Sequence, residues 1–404
     1  MATSPLSSPR TPGIAPELIV DFDAYAPVPQ DGDQFRTLLG LRDYAARHDA
    51  DLLWTRSNGG HWIATRGPTI KSIFGDYARF STASVFIGAP NPEPLVPTEY
   101  DEPEHGAFRR LLEPTFRPQS VEHWSAEARA LAIGLIDGFA GAGKCEFVRD
   151  FAEHLPIIIF LKIVDLPLDH REMLLKLVNG ALRPRSEEAR SEAVAQMSDY
   201  VDRLVADRLA RPGSDVFSQA LQADVLGRRL NRVEARGLAR SLLIGGLDTV
   251  AAVLGWAAWF LATSPAHRRR LIDEPGIIPR AANELLRRFS VVTNARVVRD
   301  DMDYLGMPMR KGDQILLPTG LFGMDDSVFA DPLTVDFDRR DSHKHIAFGH
   351  GSHRCVGAPL ALREMHLFLE EWLKRIPDFT LDPDDAPVRV TGVVNGFERL
   401  PLRW

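Results

Sequence analysis

The stretch FGHGSHRCVGAPLAL, residues 348–362, decides how this sequence is read. It holds one of only two cysteines in 404 residues, and it sets Cys355 among Gly349, Gly351, Gly357, His350, His353 and Arg354. A long helical pattern follows at once. Cysteine placed just before a helix that begins near Pro359 can be stabilised as a thiolate by helix-terminal N–H groups. The glycines allow the backbone to turn tightly and to approach a flat group closely, and Phe348 offers an aromatic wall to the sulfur.

Three readings of this loop compete. Zinc takes thiolate and imidazole ligands, and His343, His345, His350 and His353 are near. Structural zinc sites, however, draw ligands in close pairs, and here one thiolate stands among glycines. A buried structural cysteine in a turn does not need so much glycine. A single axial thiolate to haem iron uses both features, since that ligand donates electron density favouring O–O cleavage.

Composition narrows the class. A 45% hydrophobic, 25% charged chain with formal net charge -7 reads as an ordinary globular protein without the basic face of a nucleic-acid binder. Two cysteines, Cys145 and Cys355, make no disulfide scaffold, which points to a reducing cytoplasm. Residues 1–20, rich in Ser and Pro, read as a flexible arm without a signal-peptide core; residues 21–404 read as one domain.

Most of the chain shows helical periodicity, notably over 119–138, 187–210 and 280–289. PIIIFLKIVDLP (156–167) is ambiguous between buried helix and strand. Residues 230–262 form one proline-free helical pattern, about 50 Å long if continuous. Its apolar second half, 242–262, has the length of a membrane span, but Asp248 and Thr249 in its middle favour a buried core helix. Short strands and turns are expected over 290–340, including ADPLTVDFDRRD. GFAGAGKC (138–145) resembles a phosphate-binding loop but ends in Cys and lacks a preceding strand, so it reads as a turn. The fold class is mainly α with a small β region.

Several motifs together resemble the cytochrome P-450 superfamily of haem-thiolate monooxygenases. F-G-H-G-S-H-R-C-V-G is similar to its haem-binding loop, GGLDTV (245–250) to its oxygen-activating turn, and Glu284 and Arg287 to its E-x-x-R pair. Arg339 stands where the third partner of that pair lies. DEPEHGAFRR (101–110) resembles the helix that meets the haem propionates. The resemblance implies a triangular helical prism around buried haem b, with Cys355 as iron ligand. It implies His105, Arg109, Arg296, His353, Phe348 and Gly349 as cofactor contacts, and Glu284, Arg287 and Arg339 as structural. Asp248 and Thr249 become catalytic, the hydroxyl beside dioxygen and the carboxylate relaying protons. A Thr that kinks the helix, beside a salt-bridged Asp, is the structural alternative.

LLIGGLDTV, NELLRRFS, KGDQILLP and RIPDF look most like the bacterial camphor monooxygenase group. That implies a soluble cytoplasmic monomer taking electrons from a [2Fe–2S] ferredoxin, itself reduced by an NAD(P)H-dependent reductase. The ferredoxin would dock on Arg109, Arg110, Lys344, Arg354 and Arg363. The implied substrate contacts are Phe86, Leu95, Ile244, Gly245, Val292, Val393 and Val394, mostly apolar. They suit a camphor-like monoterpene, cineole or a norisoprenoid. One departure stands out: Glu93 occupies the place of the tyrosine that anchors a substrate ketone, and Tyr100 lies beyond the Pro97-Thr98 pair. The alternative from another class is a non-catalytic haem- or zinc-binding sensor.

Overall fold

The computed structural model describes residues 13–26, 34–88, 91, 93–183 and 187–404. Positions 89, 90 and 92 of the proline-rich loop and residues 1–12 of the expected arm lie outside them. The rest of that arm belongs to the fold: Ile14 and Leu18 are buried, and strand Ile19–Val20 pairs in parallel with Trp54 and Thr55. Helices carry most of the structure, with one six-stranded sheet and three small ones.

The segment expected as one helix over 230–262 is two helices end to end. Helix Arg232–Leu247 starts at a capping box in which Asn231 and Glu234 satisfy each other's backbone N–H groups. It stops at Asp248 (φ −127°, ψ −37°), and helix Thr249–Thr263 follows. Two local causes produce the break. Thr249 Oγ1 donates to the Gly245 carbonyl at 3.1 Å, and Asp248 is drawn sideways into an ion pair. The 32 residues Arg232–Thr263 are long and apolar enough to cross a membrane, but 61% of their most apolar window is buried inside the fold. Trp256, for example, stacks on Phe289 with ring centroids 5.6 Å apart.

PIIIFLKIVDLP resolves as helix His154–Ile163, with Pro156 in the first turn, where its missing N–H leaves no helical bond unmade. This helix lies hard against the central one: a Cβ on Gly246 would come 2.4 Å from the Phe160 ring, so only glycine fits there. The last helix, Ala358–Arg375, packs on helix Pro118–Ala140. It buries Trp372 fully among Phe147, Phe151 and Phe368.

The main sheet runs Ile19–Val20, Leu52–Thr55, His61–Ala64, Gln314–Pro318, Thr293–Val298, Phe80–Ser81. Its antiparallel pair Thr293–Val298 and Gln314–Pro318 sets Arg296 opposite Ile315. The strand expectation for ADPLTVDFDRRD is not met. That segment is irregular because its carbonyls at Ala330, Asp331, Pro332 and Thr334 turn to two buried arginines rather than to a neighbouring strand. GFAGAGKC is the end of helix Pro118–Ala140, a turn at Gly143 and the start of strand Lys144–Glu146.

Candidate active site

The loop before helix Ala358–Arg375 is held closed by its own backbone. Cys355 N–H donates to the Phe348 carbonyl and Gly349 N–H to the Ile346 carbonyl, both at 2.8 Å. Gly351 has φ +75°, and a Cβ there would sit 3.0 Å from the Phe74 carbonyl, so glycine is required both for conformation and for space. Cys355 opens onto a cavity of about 340 Å³ lined mainly by Val, Leu and Phe. Burial pushes its thiol pKa up, while the N–H groups of Gly357 and Ala358 and the charges of Arg109 and Arg354 pull it down. Among the described residues no group of three or more His, Cys, Asp or Glu is placed to hold a metal ion. His345 Nδ1 accepts the Ala347 N–H, and His353 stacks on His105 with centroids 3.7 Å apart. Among the described residues the loop histidines and Cys355 therefore do not converge on one point.

Beside Cys355 the cavity is lined by four side chains able to carry positive charge: His105, Arg109, Arg296 and His353. Arg296 is 3% exposed and its guanidinium donates only to the Ala295 carbonyl, with no ion pair among the described residues. Burial presses its pKa down to about 10. Burial, then His105, Arg296 and Arg109, drive His353 to about 2. His105 meets the Glu102 carboxylate at 2.9 Å, and Arg109 meets Glu113 at 3.2 Å. A buried arginine without a counter-ion beside crowded imidazoles is a site built for anions. Two carboxylates on a flat macrocycle that also needs one thiolate match this donor set, which is what haem b presents.

Thr249 lines the same cavity, whereas Asp248 lines a second cleft of about 960 Å³ on the other side of the helix break. Asp248 is gripped by Arg183 through two bonds of 2.8 Å, and Arg183 also holds Asn179 and the Val394 carbonyl. Both features of the structural alternative, the back-bonded Thr and the salt-bridged Asp, are therefore present. They coexist with a placement that puts Thr249 on the cavity and Asp248 on the cleft. Arg183 was not found from the sequence, where RPR offers no periodic signal. Glu153, also lining the cleft, was missed too: burial, then repulsion by Asp248 and Glu146, raises its pKa to about 7.

Glu284, Arg287 and Arg339 come together as a buried triad rather than as surface charges. Arg287 donates twice to Glu284 at 2.7 Å, Arg339 Nε donates to Glu284 at 3.1 Å, and the Asp336 N–H adds a fourth bond at 2.9 Å.

Of the residues expected around substrate, Gly245 and Val292 line the cavity; Phe86, Leu95, Ile244, Val393 and Val394 lie outside its lining. Val394 is bridged to Val292 and sits just behind it. Pro97, Thr98, Ser241, Val253 and Val291 are in the lining and were not anticipated, because neither loop residues nor a lone helical Ser announce a pocket. Glu93 does not replace the missing tyrosine. Its carboxylate pairs with Arg236 at 3.1 Å and lies 3.8 Å from Arg240, away from the lining.

A helical fold around an apolar cavity, with a cysteine at one wall and a Thr–Asp break at another, defines a haem-thiolate oxygenase. The Cytochrome P450 family model matches residues 159–392. Probable cytochrome P450 127A1 of Sinorhizobium fredii is 36% identical, over 87% of this chain and 85% of its own length. The crystal structure of cytochrome P450 CYP101C1 is 37% identical at a TM-score of 0.86, covering 97% of this chain and 98% of that one. That of CYP101J2 is 34% identical at the same TM-score, with the same coverage. Steroid C26-monooxygenase of Mycobacterium tuberculosis is 30% identical over 77% of this chain and 86% of its own. The chain belongs to the cytochrome P450 family; it is a monooxygenase whose cofactor is haem b.

Proposed function

We propose that the chain hydroxylates an unactivated C–H bond of a small hydrophobic substrate, a cyclic terpenoid, using O₂ and two electrons from a [2Fe–2S] ferredoxin. We assign Cys355 as the iron ligand, with His105, Arg109, Arg296 and His353 holding the propionates and Phe348 and Gly349 against the macrocycle. Haem so ligated supplies an electron-rich iron at which dioxygen is cleaved. The observation that carries the reading is that Cys355 and Thr249 face one apolar cavity while Asp248 faces a solvent-side cleft.

The remaining chemistry is the chain's own. Apolar walls exclude water and hold the substrate by shape. Thr249 holds a proton at Oγ1, free to turn from the Gly245 carbonyl toward the cavity. Asp248 exchanges protons with the cleft when it leaves Arg183, and passes them across the break in the helix. Glu284, Arg287 and Arg339 keep the preceding segment fixed under the cysteine loop.

The docking face follows the same logic. Arg110, Lys344 and Arg354 are exposed and carry no salt bridge among the described residues, whereas Arg109 is paired with Glu113 and Arg363 lies near Glu122. A local basic patch on an acidic protein suits an acidic ferredoxin and acts mainly on the on-rate. An NAD(P)H-dependent reductase would feed that ferredoxin. The protein acts as a soluble cytoplasmic enzyme, with residues 21–404 and the sheet strand Ile19–Val20 in one domain.

The test is reconstituted turnover with ferredoxin and reductase over a terpenoid panel, with product identification. Thr249→Ala is expected to keep oxygen uptake but release it as hydrogen peroxide. Unchanged coupling to hydroxylated product would refute the role of Thr249, and haem binding with no turnover on any donor would favour a sensor.

A further inference from the structure

Two hydroxyls face each other in the cavity wall. Thr98 Oγ1 and Ser241 Oγ are 2.8 Å apart, and either can be the donor. Both line the cavity, and Ser241 lies two helical turns before Thr249, about 12 Å along the axis.

Several helical hydroxyls in this fold bond their own backbone: Thr249, Thr263 and Ser198 each donate to the carbonyl four residues earlier. Thr69 and Ser218 donate instead to carboxylates. Ser241 makes no such bond to Gly237 and reaches out to the loop instead. Gly237 explains why the loop is within reach: a Cβ there would lie 2.3 Å from the Pro94 carbonyl and 3.1 Å from Val96. The missing side chain lets loop 93–99 press onto the helix and delivers Thr98 to Ser241.

A count of protons then gives the consequence. Two hydroxyls bring two hydrogens, and one is used between them. The second has no acceptor among the described residues and opens on a cavity whose walls are otherwise mostly apolar. Asn294 shares a strand face with Arg296, and both line the cavity. The Glu93 carboxylate, the other oxygen expected here, is turned to Arg236 and Arg240.

We propose that the Thr98–Ser241 pair is the substrate anchor, and that the substrate is a compact hydrocarbon skeleton bearing one acceptor oxygen, a ketone or an ether, which takes that free O–H. The pair is a specificity determinant, and the proposal rests on the cavity being the substrate chamber of a haem-thiolate monooxygenase. An occupant without an acceptor leaves the buried donor unmatched and binds more weakly.

Matched probes of one skeleton test it: camphor against bornane, and 1,8-cineole against p-menthane, by spin-state titration and by calorimetry. The wild type is expected to prefer each oxygenated probe by about tenfold. The double variant Thr98→Val/Ser241→Ala is expected to lose that preference, the oxygenated probes binding more weakly and the hydrocarbons more tightly than in the wild type. Equal binding of probe and hydrocarbon by the wild type, absence of binding by any probe, or a preference that survives in the double variant overturns the proposal. The ferrous–CO spectrum of the same samples separates the two levels. Without a thiolate band the haem-thiolate reading fails; with an intact band and no preference, only the anchor fails.

Discussion

Replacing Glu284 with Gln removes the one negative charge that two buried arginines share. Glu284 and Arg287 are 0% exposed and Arg339 is 9% exposed, and the carboxylate accepts four hydrogen bonds. Breaking a buried ion pair by removing one partner costs about 3–5 kcal/mol, whereas an exposed i,i+3 pair is worth about 0.2–0.5 kcal/mol. For 404 residues at about 2.1 cal/mol/K each, the buried loss lowers the melting temperature by about 4–6 °C, against less than about 1 °C for a surface pair. The two cases are therefore separable in one melting experiment at a fixed scan rate. Arg287 and Arg339 also hold the carbonyls of residues 330–332 and 334, so the variant is expected to loosen the segment leading to Cys355. Its ferrous–CO spectrum should show a smaller thiolate fraction on mild heating. A shift below 1 °C with an unchanged thiolate fraction would refute the reasoning.

Two further outcomes follow from the solvent side of the central helix. Asp248→Asn is expected to leave substrate affinity unchanged and to slow product formation by about 10²-fold, with a larger solvent isotope effect, since proton relays contribute on that scale; an unchanged rate and isotope effect would remove Asp248 from the relay. Glu153 titrates in the folded protein near 7, raised chiefly by burial, above an ordinary value of 4.5. The folded state then binds more protons than the unfolded one between these values, so this carboxyl lowers stability as pH rises from about 4.5 to about 7 and adds no slope above. Glu153→Gln should melt higher than the wild type at pH 8, with the gap closing toward pH 5; a gap independent of pH would contradict it.

The fold and the cysteine-bearing wall of the cavity were legible in the sequence because there chemistry and spacing coincide. Cys355 with its glycines, the i,i+3 pair Glu284–Arg287 and the polar break Asp248–Thr249 are local patterns, and local patterns survive in one dimension. What the sequence hid was set by distant contacts. Arg183 meets Asp248 across 65 residues and Thr98 meets Ser241 across 143, and nothing in the neighbourhood of either residue announces its partner. The long helix read as continuous because periodicity records apolar faces, not a backbone torsion at one aspartate. Residues 330–341 read as strand because the arginines that take its carbonyls are not visible in its own composition. Glu93 stood out in the sequence, but its turn toward Arg236 and Arg240, and the packing at Gly237 that brings Thr98 to Ser241, are seen only in three dimensions.

The most direct test of the central claim is the ferrous–CO difference spectrum of the purified protein beside Cys355→Ser, with haem content measured in both. A strongly red-shifted Soret band in the wild type, absent from the variant at equal haem content, is the predicted result. A wild type that binds haem without that band, or a Cys355→Ser protein that retains it, would contradict ligation by Cys355.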